Sequence, residues 1–538
     1  MTAPKGKYHI WTVGCQMNQA DSQRVASILD GLGWEESAAM DGANLVILNT
    51  CSVRAQPEQR AHGQLSLLRH AKEQRDDLLV AMMGCMIGNQ RTIDDLKKRY
   101  PAVDLFFKVE NSDILPEFLE ERWTPLAGDG CVDMEAFGAS DSLSPESFDA
   151  LTTTDIPAPV VHPTRALPVL PMPSRVAATH AQPMQITPRP AARDLHYPGA
   201  AENVAKTRGP TAWLPVILGC NKVCSYCIVP SRRGVERSRP MDELFAEASE
   251  LVGQGARELT LLGQTVEAYG LDLPAVSGDL GDLMERLSEI PDLQRIRFMT
   301  SYPRHMTNKI IKQMAALPKV CEHVNIPVQH GDDGVLARMR RGYTIGEYRE
   351  LIARLRDWWP GVALSTDVIV GFCGETDEEF QRLLDLLEEV RFDVVHVAAY
   401  SPRPGTLSNK WEDDVPLALK KERLHAVEAV EERISREINA TYVGRVEEVL
   451  IESRQQAGGK WQWRGRDRAN KLVFFPAEKP GAESDGADLT PGEQRARRGA
   501  ASGAALATRR PRVAPGDLAH VTIDRATAWS LQGTLALG

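Results

Sequence analysis

The chain has 538 residues, 43% hydrophobic and 25% charged, an ordinary soluble composition in a chain too long for one core, so three or more domains are expected. A formal net charge of −10 points away from a uniformly basic nucleic-acid binder. No apolar run approaches the roughly 20 residues that span a bilayer, and "MTAPKGKYHIWTVGC" has no long apolar core of a secretory signal, so a cytoplasmic protein with no membrane partner is expected.

Residues 1–123 alternate apolar and amphipathic stretches. "YHIWTVGC" (8–15), "NLVILNTC" (44–51) and "LLVAMMGC" (78–85) read as strands, each ending in a cysteine, with helical patterns at 21–32 and 56–71 between them. Such βαβ alternation implies a parallel α/β sheet whose ligand chemistry gathers beyond the strand carboxyl ends. Cys15, Cys51 and Cys85 fall at that edge. The rhythm stops at 124–206, where 10 of the 42 residues from Pro157 to Pro198 are proline; a linker or insertion is expected there, with Cys131 a weak ligand candidate.

From 207 to 436 the βα rhythm returns, with strand candidates at 213–219, 258–264, 295–303, 323–329, 363–372 and 394–402 and helical patterns such as 241–254 and 376–390. Six such units predict a complete or partial parallel barrel, a (βα)6 core working at its strand carboxyl ends. "CNKVCSYC" follows the first strand, at that face. Gln264, Ser301, Gln329 and Asp367 lie at or near later strand ends, where polar side chains suit a small cofactor.

A long charged helix near 416–437 leads into residues 437–538, where "VEEVLIES", "KLVFF" and "LAHVTIDRA" read as strands of a small antiparallel β-barrel. From Glu437 onward there are 15 Lys/Arg against 12 Asp/Glu, whereas the rest of the chain has 48 against 61. Nucleic-acid contact is therefore expected in this last module. Arg464, Arg466, Arg468 and Lys471 are its candidates, with Trp461, Trp463 and Phe474 close by, since guanidiniums neutralise phosphates and aromatic planes stack on bases. Between its strands, the run at 495–512 holds six arginines and no acid and reads as a solvated loop rather than an RNA clamp.

Nine cysteines in a chain of this length and compartment argue against a disulfide framework. Cys220, Cys224 and Cys227 have the spacing C-x3-C-x2-C. A structural zinc site needs a fourth ligand, and residues 228–250 contain no His or Cys. An iron–sulfur cluster held by three thiolates instead leaves one iron open for a substrate or cofactor.

This stretch resembles the cluster motif of radical S-adenosylmethionine enzymes. With "GCQMNQADS", "NTCSVR", "GCM", "SRRGVERSRP", "LLGQTVEAYG", "TSYP", "NIPVQHG", "MRRGYT", "GFCGET", "YSPRPGT" and "GRDRANKLVFF", the chain resembles the methylthiotransferases of that superfamily outside 124–206 and the 477–512 loop. The resemblance implies two [4Fe–4S] clusters, one on Cys220, Cys224 and Cys227 and one on Cys15, Cys51 and Cys85, with S-adenosylmethionine as methyl donor and radical source. It also implies a C-terminal TRAM domain. The implied substrate is N6-dimethylallyladenosine beside the tRNA anticodon, methylthiolated at carbon 2, with "GRDRANK" and "NTCSVR" favouring that branch over those acting on threonylcarbamoyladenosine or a ribosomal-protein aspartate. A monomer served by a flavodoxin or ferredoxin and by a sulfur source follows from the same likeness. The competing expectation is a non-catalytic RNA-binding protein with closed structural metal sites. Thr265, Glu267, His330 and Cys373 depart from the family's usual residues.

Overall fold

The computed structural model describes residues 5–52, 55–88, 90–123, 209–478 and 513–536; the proline-rich stretch, Cys131 and the arginine-rich run at 495–512 lie outside them. Strands β1 (Lys7–Thr12), β2 (Glu35–Glu36), β3 (Leu45–Thr50), β4 (Leu79–Gly84) and β5 (Leu105–Phe106) form one parallel sheet in the order β2-β1-β3-β4-β5. Helices α1 (Gln16–Gly31), α2 (Ala55–Gln74), α3 (Gln90–Arg99) and α4 (Ile114–Arg122) complete this domain. β3 is buried at every position and β4 at all but its last, as the apolar runs require of strands covered on both faces. The strand order reverses at β1, with β2 added on one side and β3 on the other, so the switch-point crevice opens at the carboxyl ends of β1 and β3. Helix α1 starts five residues before its amphipathic pattern, because the extended Cys15 serves as its N-cap.

The second domain runs through β6 (Thr211–Pro215), β7 (Ile217–Leu218), α5 (Val229–Arg233), β8 (Arg237–Ser238), α6 (Met241–Gly253) and β9 (Glu258–Leu262). It continues with α7 (Leu280–Ser288), β10 (Arg295–Phe298), α8 (Asn308–Ala316), β11 (His323–Asn325), α9 (Asp333–Met339), α10 (Ile345–Trp358), β12 (Ala363–Val370), α11 (Asp377–Val390), β13 (Val394–Ala399) and α12 (Leu417–Ala440). All six expected parallel strands are present. They form two three-stranded sheets, β10-β9-β6 and β11-β12-β13, linked by a single parallel bridge between Ile296 and Val320. The barrel is thus partial. The first strand ends at Pro215, and the chain beyond it makes the antiparallel pair β7–β8, which clasps the loop carrying Cys220, Cys224 and Cys227.

In the C-terminal domain, β14 (Val446–Ala457), β15 (Lys460–Arg466), β16 (Leu472–Pro476), β17 (Leu518–Ala526) and β18 (Leu531–Leu535) close into a barrel ordered β14-β15-β16-β18-β17. The expectation of antiparallel strands holds for every pair except β16–β18, which is parallel. Two strands were not legible from sequence. One is β15, whose alternating Arg and Trp reads as a binding surface; Trp463 faces inward to the apolar core with Val449, Phe475 and Val521.

Candidate functional site

Cys15, Cys51 and Cys85 each follow a strand of the N-terminal sheet, and backbone register brings them together. Gly14, at φ +138°, lies so close to Cys51 that a Cβ there would sit 2.9 Å from the Cys51 Cβ. Gly84, at φ +96°, leaves no such room either, with the Thr50 carbonyl oxygen 2.3 Å from where its Cβ would be. The Cys85 amide donates to the Thr50 carbonyl at 2.8 Å, and the Ser52 hydroxyl to the Cys85 carbonyl at 3.0 Å. Two buried asparagines stitch the loops. Asn18 Nδ2 donates to Asn49 Oδ1 at 2.8 Å and to the Thr50 carbonyl at 3.1 Å, while its Oδ1 accepts from Cys15 Sγ at 3.4 Å. Asn49 Nδ2 returns a bond to the Asn18 carbonyl at 2.6 Å. Burial pushes the Cys85 thiol up to about 11; Arg233 opposes the shift, and Cys51 and Cys15 add to it.

The second trio hangs on one loop. The Cys220 amide donates to the Gly234 carbonyl at 3.0 Å, and the Cys227 amide to the Cys224 carbonyl at 3.1 Å. Ser225 anchors the loop's tip: its hydroxyl donates to the Arg338 carbonyl at 2.8 Å and its amide to the Met339 carbonyl at 3.0 Å. Arg341, buried between the rings of Tyr302 and Tyr343, donates to Cys224 Sγ at 3.3 Å. Burial raises Cys220 to about 11 and Cys227 to about 12. Thiols so placed keep their protons until a metal displaces them.

Among the described residues no three His, Cys, Asp or Glu side chains converge closely enough to share one metal ion. Three thiols with no fourth protein ligand among those residues do not complete a structural zinc site. A [4Fe–4S] cluster takes each thiolate on a different iron and needs sulfurs held apart on a common rim. Three soft thiols per rim, with Cys51, Cys85 and Cys220 buried and Cys15 exposed, suit that group.

The expected cofactor residues gather around the barrel mouth with different standing. Ser301 is buried and its hydroxyl has no hydrogen-bond partner among the described residues; it follows Thr300, a β-branched residue at φ +74°, strain that marks functional loops. Gln329 also has a left-handed backbone, at φ +69°. Its amide donates to the Asp367 carbonyl at 2.9 Å. Gln264 is half-buried just past β9. Asp367 lies within β12 rather than at its end, where Asn325 Nδ2 donates to it at 3.4 Å.

Of the family departures, Glu267 is buried and raised to about 8 by desolvation, while Thr265 donates to Glu236 at 2.8 Å. His330 is fully buried, 3.3 Å from Glu375. Cys373 packs in a small apolar cluster with Phe372 and Tyr400.

A cavity of about 230 Å³ reaches from Gln16, next to Cys15, past Trp213, Met299 and His323 to Arg464 and Arg466 of the C-terminal barrel. Arg464 and Arg466 share a single carboxylate, Glu452, at 3.7 and 3.2 Å. The other two members of the expected RNA-contact set do different work, which revises that expectation. Arg468 donates to Glu322 at 2.6 Å and to the Val320 carbonyl at 2.8 Å, and Lys471, 7% exposed, pairs with Asp393 at 2.7 Å. From the other side Arg295 reaches the Arg466 carbonyl at 2.7 Å, and Arg297 the Arg468 carbonyl at 2.9 Å. "GRDRANK" is largely the joint between the two barrels. The residues missed from sequence are Asn18, Asn49, Arg341 and Arg233; only tertiary contacts reveal them, as each lies in a motif read for something else.

The Radical SAM superfamily profile matches residues 214–387, and that of "Uncharacterized protein family UPF0004" residues 7–108. Fold and match define the class as a radical S-adenosylmethionine enzyme, whose cofactors are a [4Fe–4S] cluster and S-adenosylmethionine. The chain is 39% identical to the "tRNA-2-methylthio-N(6)-dimethylallyladenosine synthase" of Herpetosiphon aurantiacus, over 88% of this chain and 92% of that one. It is 37% identical to proteins of the same description in Chloroflexus aurantiacus, over 99% and 92%, and in a Roseiflexus species, over 99% and 90%. The chain belongs to the tRNA-2-methylthio-N(6)-dimethylallyladenosine synthase family of radical methylthiotransferases. The enzymatic expectation is borne out and the non-catalytic one set aside. No helix among the described residues is long and apolar enough to cross a membrane.

Proposed function

We propose that this chain methylthiolates carbon 2 of N6-dimethylallyladenosine beside the anticodon of tRNA, with a [4Fe–4S] cluster on each cysteine trio. The observation that carries the reading is the pairing of two three-thiol rims, buried at Cys51, Cys85 and Cys220 and opening to solvent at Cys15, with a cavity that runs from Gln16, beside Cys15, to Arg464 and Arg466. When bound, the clusters and S-adenosylmethionine supply electrons, a methyl group and a hydrogen-abstracting radical, which suit an aromatic C–H bond that polar catalysis cannot readily activate.

The chain's own residues present and shield these groups. Cys220, Cys224 and Cys227 hold the radical-side cluster, with Arg341 fixing Cys224; Cys15, Cys51 and Cys85 hold the auxiliary one, with Asn18 and Asn49 fixing their loops. Ser301, Gln329, Gln264 and Asp367 line the cofactor's approach, and the orphan Ser301 hydroxyl is the best placed of them to bind it. Trp213 offers an aromatic plane for the base. One carboxylate between two guanidiniums leaves Arg464 and Arg466 a positive balance that suits an RNA phosphate. His323, pushed down to about 3 by burial and Arg297, is a neutral cavity wall. A TRAM role for the C-terminal barrel, an anticodon-loop contact, a flavodoxin or ferredoxin donor, a separate sulfur source, a monomeric state and a cytoplasmic location belong to the same proposal.

The test offers reconstituted, reduced protein and S-adenosylmethionine three substrates side by side: isopentenylated tRNA, threonylcarbamoylated tRNA and ribosomal protein. Methylthiolation of the first alone supports the reading. Turnover of either other substrate in its place contradicts it.

A further inference from the structure

Arg233 ends α5, six residues after Cys227 and one before Gly234, whose carbonyl receives the Cys220 amide at 3.0 Å. By chain position it belongs to the radical-side loop. Its side chain leaves that loop for the N-terminal domain: it pairs with Asp21 Oδ2 at 3.1 Å and hydrogen-bonds the Cys85 thiol, with 13% of its side chain exposed. Asp21 is itself buried on α1, the helix capped by Cys15, and its other oxygen, Oδ1, has no partner among the described residues. The guanidinium therefore touches a cysteine of one centre, the helix of another cysteine of that centre, and, through one backbone step, the loop of the other centre.

We propose that Arg233 is a positioning residue of the N-terminal centre, holding that centre's negative charge and setting its reduction potential from the radical-side loop. The inference rests on the reading that Cys15, Cys51 and Cys85 carry a [4Fe–4S] cluster. Three thiolates on such a cluster give a single net negative charge when oxidised and two when reduced. A largely shielded cation interacts more strongly with the second state and favours it. Charge and hydrogen bonds to the sulfurs are established levers on cluster potential. Asp21 pulls the other way, so Arg233 and Asp21 variants must move the potential in opposite directions. A merely structural salt bridge lacks that signature, because breaking it from either side gives the same effect.

The experiment uses the full chain with Cys220, Cys224 and Cys227 all changed to Ala, reconstituted with iron and sulfide, so that any remaining signal comes from the N-terminal centre. EPR-monitored redox titration compares this background with added Arg233→Gln, Arg233→Lys and Asp21→Asn, with iron content measured in each. The expected result is a more negative potential in Arg233→Gln, a smaller shift in Arg233→Lys and a more positive potential in Asp21→Asn. Full iron with an unchanged potential in Arg233→Gln overturns the proposal. If Arg233→Gln loses its iron, an unchanged potential in iron-replete Arg233→Lys and Asp21→Asn overturns it equally. A background that takes up no cluster at all refutes the two-cluster reading itself, and the inference falls with it by a distinguishable route.

Discussion

The two cysteine trios reach the same kind of rim by opposite routes. Cys220, Cys224 and Cys227 come from one loop between β7 and β8, so their spacing is local and their geometry is set by a few bonds to neighbouring backbone. Cys15, Cys51 and Cys85 come from three successive βα units and meet only because β1, β3 and β4 lie side by side in parallel register. Each trio has one thiol bonded by an arginine, the buried Arg341 at Cys224 and the partly buried Arg233 at Cys85. The first arginine comes from the same domain and the second from the neighbouring one. A contiguous site tolerates small domain movements, whereas a dispersed site inherits the rigidity of its sheet and every loop joint.

The sharpest way to separate the centres is to remove one thiol from each. Cys224→Ala should abolish 5′-deoxyadenosine formation, read by chromatography. Cys51→Ala should spare cofactor cleavage and abolish the methylthiolated nucleoside. Next in size, Asn49→Ala removes one hydrogen bond each from the Asn18 side-chain amide, the Asn18 carbonyl and the Ser22 hydroxyl, worth about 1 kcal/mol each. It should deplete iron from the N-terminal centre while the radical centre stays loaded, as iron analysis will show.

The C-terminal arginines and lysine offer a parallel contrast. Lys471→Met strands Asp393 in a buried pair, so a loss of about 3 kcal/mol is expected in denaturant unfolding. Arg464→Ala, with a 38% exposed side chain and only a 3.7 Å ion pair, should change stability by less than about 0.5 kcal/mol. Its effect should appear in tRNA binding instead, as a salt-dependence slope shallower by about one.

The smallest effect is a pH slope. Glu267 stays protonated in the fold up to about 8 against an ordinary 4.5. Its contribution is full below the ordinary value and declines as pH rises through the folded one, because the unfolded chain releases the proton first. Glu267→Gln removes that share, so its Tm should fall less steeply than the wild type's between about pH 5 and about pH 8.

Much of this was legible beforehand for a physical reason. Apolar runs of strand length, each ending in Gly-Cys or Thr-Cys, place cysteines at strand ends, and strand ends are where α/β sheets do chemistry. The C-x3-C-x2-C spacing carries its own geometry. What was not legible depends on where the chain goes afterwards. Arg468 and Lys471 look like phosphate ligands in a basic, aromatic stretch, yet Glu322 and Asp393, 146 and 78 residues away in the chain, make them a joint. Trp463 looks like a stacking platform, and strand alternation turns it into the barrel core. Asn18 and Asn49 carry no signal as single polar residues, because their role exists only once β1 and β3 are neighbours.

The central claim is that each trio holds a cluster of its own. The most direct measurement is iron and sulfide analysis, with Mössbauer spectroscopy, of the reconstituted Cys220→Ala, Cys224→Ala, Cys227→Ala protein. The account predicts about four irons per chain in a single [4Fe–4S] signal, lost when Cys51→Ala is added. A triple variant with no bound iron, or with iron that survives Cys51→Ala unchanged, contradicts it.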